Sequence, residues 1–239
     1  MKLDIVIPSL NRIAKLDRCL NSLFLADGLE DSTVWLYLTD PTEYQHYLGY
    51  FEFAKGKVNV VYCPDYKVPE FWNGHLKQMT ADGMMCCNDD CEFHKDTITN
   101  VMSEFTRIYP DYDGVMGCMQ SNAIDDQGFK GAFPVIGRAF ADRFPERQVW
   151  CPDYYRLHAD EELMLYAKQM GKFAFSEKCK IVHWHPAFGG VIDSTHLKVR
   201  EWRDYDKKVF RMRRAKGYLW GKDFNLINAT KKNEELSKQ

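Results

Sequence analysis

The sequence predicts an α/β domain built on a mainly parallel central sheet flanked by helices. Strand-like and helix-like patterns alternate through the first half of the chain, which is the signature of βαβ units. The fourth strand candidate runs into the most polar tripeptide of the region, Asn88-Asp89-Asp90. In open α/β sheets, ligands bind at that carboxyl edge.

Residues 3–7 are a short apolar, β-branched run ended by Pro8, and residues 12–25 then place Ile13, Leu16, Leu20, Leu23 and Phe24 at helical spacing before Asp27-Gly28. Residues 33–39 predict a second strand that stops at Asp40-Pro41. An aromatic-rich helix over 42–54, a strand over 57–62 and a helix over 70–81 follow, and 84–87 is a buried fourth strand. Beyond a helix near 95–109 and a strand over 114–119, residues 120–157 are rich in Gly, Pro, Asp and aromatics and predict loops with short strands. Residues 158–171 have helical periodicity. Residues 172–182 predict a strand that ends at His183-Trp184-His185-Pro186, a charged helix covers 195–216, and 229–239 is a polar tail.

Composition sets outer limits. Of the 239 residues 45% are hydrophobic, enough for a substantial core, so a disordered or fibrous chain is excluded. Thirty-two basic against 34 acidic residues leave a net charge of −2, so the total favours neither a nucleic-acid binder nor an acidic solvating protein. The eight cysteines show no CxxC pair, and reduced thiols are expected. The apolar run near the start is too short for a signal peptide and no long apolar stretch occurs, so a soluble, cytoplasmic protein is expected. With no repeat and no linker, one domain over 1–194 is expected, with 195–239 as a basic, aromatic helical extension.

Three clusters could carry chemistry. Adjacent carboxylates repel, so Asn88-Asp89-Asp90 after a buried strand calls for a cationic partner, and oxygen ligands suit Mg²⁺ or Mn²⁺. The plain alternative is a polar turn. Asp160-Glu161-Glu162 opens a helix whose dipole favours anions, which is routine at helix starts. His183 and His185, two apart on a strand, point to the same side and could converge on one ion, although such pairs are often structural. Cys86, Cys87 and Cys91 lie close in sequence, but the first two face opposite ways on a strand and make a poor zinc site. No GxGxxG, GxxxxGK[ST] or GxSxG is present, which removes the dinucleotide, P-loop and α/β-hydrolase signatures.

In order and spacing, these segments resemble the GT-A-fold glycosyltransferases, closest to the family-2-like group, over residues 3–190. IVIPSLNR resembles the strand-one motif, with Pro8, Asn11 and Arg12 implied around the nucleotide. Asp40 occupies the base-contacting position, and Phe71-Trp72-Asn73-Gly74 resembles the Asn-Gly stretch before the metal strand. CNDDCEF stands where the family has DxD, with Asn88 departing from the first acid. The resemblance implies Asp90 as metal ligand and Asn88 or Asp89 as ribose or diphosphate contacts. HADEEL resembles the acidic helix start and implies Asp160 as catalytic base with Glu161 as fallback, and VHWHP implies a late metal-binding His, either 183 or 185.

The implied reaction is metal-dependent transfer of a sugar from a nucleotide-diphosphate donor to an acceptor hydroxyl, with inversion because one base acts opposite the leaving group. Pro8, Arg12 and Asp40 could equally be a strand terminator and surface or capping residues, and Trp72 and Trp184 either stack on sugar or fill core. A nucleotidyltransferase is the rival enzyme, although SLNRIAK lacks its Gly-rich basic loop. A silent nucleotide-sugar or nucleic-acid binding module is the rival outside enzymes, and Asn88 keeps it open.

Residues 198–222 contain ten basic and three acidic residues, a balance of +7 that leaves −9 for the rest, with Trp202, Tyr205, Phe210, Tyr218 and Trp220 interleaved. Either this helix packs its aromatics on the core, or it meets an anionic acceptor or an anionic membrane surface. The acceptor itself, whether glycan, lipid-linked glycan, protein or nucleic acid, is not specified by any motif.

Overall fold

A computed structural model describes residues 1–51, 57–64, 67–123 and 130–215. Strand β1 (Leu3–Ser9) is buried along its whole length, as a strand covered on both faces must be. Helix α1 (Ile13–Phe24) buries Leu16, Cys19, Leu20 and Leu23, one apolar stripe at three- and four-residue spacing. After β2 (Ser32–Leu38), Asp40 caps α2 (Pro41–Tyr50): its carboxylate accepts the N–H groups of Thr42 and Glu43 at 2.9 and 3.0 Å, and Pro41 needs no hydrogen bond there. Then come β3 (Val58–Tyr62), α3 (Val68–Gln78) and β4 (Gly83–Cys86).

The sequence pattern does not anticipate β5 (Cys91–Phe93), whose three residues are too few to show a period. Helix α4 (Thr97–Ile108), β6 (Val115–Gln120), β7 (Val135–Gly137), the one-turn α5 (Arg138–Ala141), α6 (Ala159–Gln169), β8 (Phe173–His183) and α7 (Ser194–Ala215) complete the described chain. The predicted helix over 42–54 ends at Tyr50. Lys216, Tyr218, Trp220, Lys222 and the polar tail lie outside the described residues.

All eight strands among the described residues form one sheet in the order β3-β2-β1-β4-β7-β6-β8-β5. Pairing is parallel across β3-β2-β1-β4 and between β6 and β8, and antiparallel where β7 and β5 are inserted. One face is covered by α1, α2 and α4 around Ile5, Leu36 and Phe105. The other is covered by α3, α5, α6 and α7 around Trp72, Phe140, Leu163 and Phe210. Helix α7 is tied down by more than apolar burial: the Arg213 guanidinium forks onto the Glu162 carboxylate of α6 at 2.7 and 2.9 Å, and Tyr154 donates to the same carboxylate at 2.6 Å. Near its start, Thr195, His196 and Val199 line the cleft described below. No described helix is long and apolar enough to cross a membrane.

Candidate active site

Strands β1 and β4 are parallel neighbours, so the segments after them leave the sheet side by side. The turn after β1 is shaped by Glu43 of α2. That fully buried carboxylate accepts the Ser9 hydroxyl at 2.7 Å and the backbone N–H groups of Asn11 and Arg12 at 2.8 and 3.3 Å. Asn11 takes a left-handed φ of 52°, which Asn tolerates better than most residues. The turn thereby delivers the Arg12 side chain into the acidic cluster that follows β4. Its Nη1 lies 2.5 Å from Asp89 Oδ1, Nη2 lies 3.2 Å from Asp90 Oδ2, and Nε lies 2.9 Å from Asp193 Oδ2. The cationic partner that the adjacent carboxylates require is thus supplied by the chain itself.

The antiparallel pairing of β5 with β8 sets Cys91 opposite His183, and Trp184 donates its N–H to the Asp90 carbonyl at 2.9 Å. This register brings Asp90 and His183 together: Asp90 Oδ1 is 3.2 Å from His183 Nε2, without the alignment of a hydrogen bond. Burial works to raise the Asp90 carboxyl, but contact with His183 and the charges of Arg12 and Arg156 hold it well below the usual carboxylate range. Asp89, equally buried, is pushed up to about 6 by burial against the opposing pull of Arg12.

The far wall comes from residues 154–163. Asp206 of α7, fully buried, accepts the N–H groups of Tyr155, Arg156 and Leu157 at 2.9, 3.0 and 2.7 Å. This fixes the backbone that presents Arg156 and leads into α6. Asp160 and Glu161 then part company. Glu161 Oε2 is engaged by His158 Nδ1 at 2.9 Å, whereas Asp160 accepts the neighbouring Glu161 N–H at 2.9 Å and lines the opening of the cleft. Desolvation raises the Asp160 carboxyl to about 6, offset in part by backbone N–H groups and His158 and reinforced by Glu161.

These walls enclose a cleft of about 200 Å³ onto which Arg12, Asn88, Asp90, Asp160, His183 and His185 all open. His185 stands beside His183 at 5.4 Å between ring centroids, and its Nδ1 accepts the Ala187 N–H. Burial, reinforced by the neighbouring His183, pushes it down to about 4. Trp72 also lines the cleft and packs on Trp150 at 4.4 Å. The other candidates sit elsewhere. Pro8 is buried within β1, Asp40 caps α2, and Asp89 lies behind Arg12. The Asn73 amide is spent on both backbone groups of Trp150, at 2.7 and 2.8 Å. Trp184 donates its indole N–H to Glu92 and lies under Arg18.

Sequence reasoning missed Glu43, Arg156, Asp193, His196 and Asp206. Asp40-Pro-Thr-Glu43 and Asp193-Ser-Thr-His196 both carry helix-start signals, and Asp193 does accept the His196 N–H at 3.1 Å. Those signals find the cap but not its second partner, Arg12. Asp90 Oδ1 and His183 Nδ1 are both buried without a hydrogen-bond partner among the described residues. Among the described residues, no cluster of three or more His, Cys, Asp or Glu side chains converges as a closed metal cage. Asp90 and His183, 3.2 Å apart, could offer one carboxylate and one imidazole to a cation that takes its remaining ligands from water and phosphate.

Strand order, covered faces and the cleft at the strand ends define a GT-A-like glycosyltransferase fold. TarS 1-349 from S. aureus, in complex with UDP-GlcNAc, superposes with a TM-score of 0.57 at 12% identity, over 74% of this chain and 56% of that one. The mannosyltransferase PcManGT from Pyrobaculum calidifontis, in complex with GDP-Man and Mn²⁺, gives 0.59 at 12% identity, over 84% and 60%. The longer TarS structure gives 0.55 at 14% identity over 74% of this chain, and only 35% of that one is covered. No protein-family model matches the sequence, and no curated protein matches it. At these identities the likeness is one of fold.

Proposed function

We infer that the chain is a glycosyltransferase that moves a sugar from a nucleoside-diphosphate donor to an acceptor hydroxyl, inverting the anomeric carbon. One observation carries the reading: a cationic, acid-held cluster (Arg12, Arg156, Asp90, His183) and a separate, perturbed carboxylate (Asp160) open onto the same cleft. The binding of nucleotide sugars by two proteins of this fold supports it.

Negative charge develops on the departing diphosphate, and Arg12 and Arg156, which line the same cleft, would offset it. A divalent cation such as Mn²⁺ or Mg²⁺, held by Asp90 and His183, would supply further charge neutralisation there. Asn88 offers hydrogen bonds to ribose or phosphate without adding charge. On the other side Asp160 accepts the proton of the attacking hydroxyl. The acceptor oxygen bonds to the anomeric carbon as the diphosphate oxygen leaves with the bonding electron pair. A base pushed up to about 6 is ionised at neutral pH yet more basic than an ordinary carboxylate.

The test is a thermal shift with UDP, GDP, CDP and dTDP, each with and without Mn²⁺, followed by hydrolysis of the matching nucleotide sugars. One nucleotide should raise the melting temperature. If none does, the donor site is misassigned.

A further inference from the structure

A second cleft, of about 400 Å³, adjoins the first and shares Leu157 and Asp160 with it, and its remaining walls are His158, Glu161, Arg203 and Lys207. Two carboxylates and two cations thus face one space, but the acids are not equivalent. Glu161 is already engaged by His158, whose ring is stacked on Phe210 at 5.0 Å and so cannot swing away freely. Asp160 is the acid that both clefts reach.

Arg203 and Lys207 lie one turn apart on α7 and so on the same face. Both are exposed, and neither forms an ion pair among the described residues. Of the two acids between them in sequence, Asp206 is turned inward onto the 155–157 backbone, and Asp204, exposed on the helix, forms no ion pair with either cation among the described residues. An arginine fork beside a lysine point charge suits an oxyanion of two charges better than one of a single charge. The same field keeps such an anion away from Asp160, so a ligand that fills the space presents two different ends.

We propose that this second cleft is the acceptor site, and that the acceptor carries a phosphate group on Arg203 and Lys207 beside the hydroxyl it presents to Asp160. This rests on the glycosyl-transfer reading above. It goes further in fixing the chemical class of the acceptor: a phosphorylated polyol or sugar, in which phosphate and reacting hydroxyl belong to one molecule. In the transfer, the hydroxyl oxygen joins the anomeric carbon and its proton passes to Asp160. The acceptor phosphate takes no part in bond making.

The experiment titrates the full chain by calorimetry with glycerol 3-phosphate, glycerate and glycerol, in the presence of saturating UDP or GDP so that the donor cleft is filled. Glycerol 3-phosphate should bind and glycerol should not, and glycerate should bind at least about tenfold more weakly. Arg203→Gln combined with Lys207→Gln should weaken glycerol 3-phosphate about tenfold or more, Lys207→Arg should keep most of the affinity, and nucleotide affinity should stay within about twofold. Both side chains are exposed, and an unchanged melting temperature verifies the fold of each variant.

Equal affinity for glycerate, or a double variant that binds glycerol 3-phosphate like the parent, overturns the proposal, as does absence of binding to the parent. Failure of the underlying reading looks different: no nucleoside diphosphate binds in any variant, whatever glycerol 3-phosphate does.

Discussion

Replacing Asp160 by Asn should stabilise the protein at neutral pH while abolishing sugar transfer. The carboxyl is raised from an ordinary 3.8 to about 6 by desolvation, with Glu161 adding repulsion and backbone N–H groups and His158 opposing. The folded state therefore holds this proton more tightly than the unfolded chain does. Below the unfolded value both states are protonated and there is no penalty. As pH rises through the window from 3.8 to 6 the penalty grows, and above it the folded state carries a full cost of about 3 kcal/mol. Asn removes the charge and can still accept the Glu161 N–H. For a protein of this size the gain corresponds to a melting temperature about 5–10 °C higher at pH 7.5. Scanning calorimetry of both proteins at pH 7.5 and at the lowest pH where they remain folded decides the matter: the gap should shrink with falling pH. A gain of the same size at every pH, or none at pH 7.5, refutes the idea that desolvation of Asp160 sets its base strength.

The same carboxyl should make the transfer rate fall about tenfold per pH unit below about 6 and level off above it, measured as kcat/KM against pH. Asp90→Asn should abolish the Mn²⁺ dependence of nucleotide binding, read by thermal shift with and without the ion, and leave the Asp160 pH profile in place. Asp206→Ala strands three backbone N–H groups and should cost about 3 kcal/mol by urea denaturation; through Arg156 it should also weaken nucleotide binding. Asn73→Ala removes two hydrogen bonds to Trp150 and should cost about 2 kcal/mol while leaving nucleotide affinity unchanged, because that amide is spent on the fold.

The elements that the sequence reveals well are those whose physics is local. β1 and β4 are apolar runs because a parallel strand is covered on both faces, and α1 announces itself by the stripe of Leu16, Leu20 and Leu23. β5 escapes because three residues have no period and exist as a strand only through their pairing with β8. α7 is recognised as a charged helix, but not that Asp206 and Arg213 turn inward, since a charge on a polar helix reads as solvated until its partners are known.

The candidate site divides along the same line. Residue type and order alone mark Asn88-Asp89-Asp90 at a strand end, the acids of α6 and the histidines at and just after the end of β8, because ligand chemistry depends on functional groups and strand ends face one edge of the sheet. Which of them meet is a matter of register and turn geometry. Arg12 reaches Asp89 across 77 residues and Asp193 across 181, by way of a turn that Glu43 holds. Asp160 and Glu161 are adjacent in sequence and interchangeable by composition. Only the helical packing that places His158 within reach of Glu161 occupies the one and leaves the other to face both clefts.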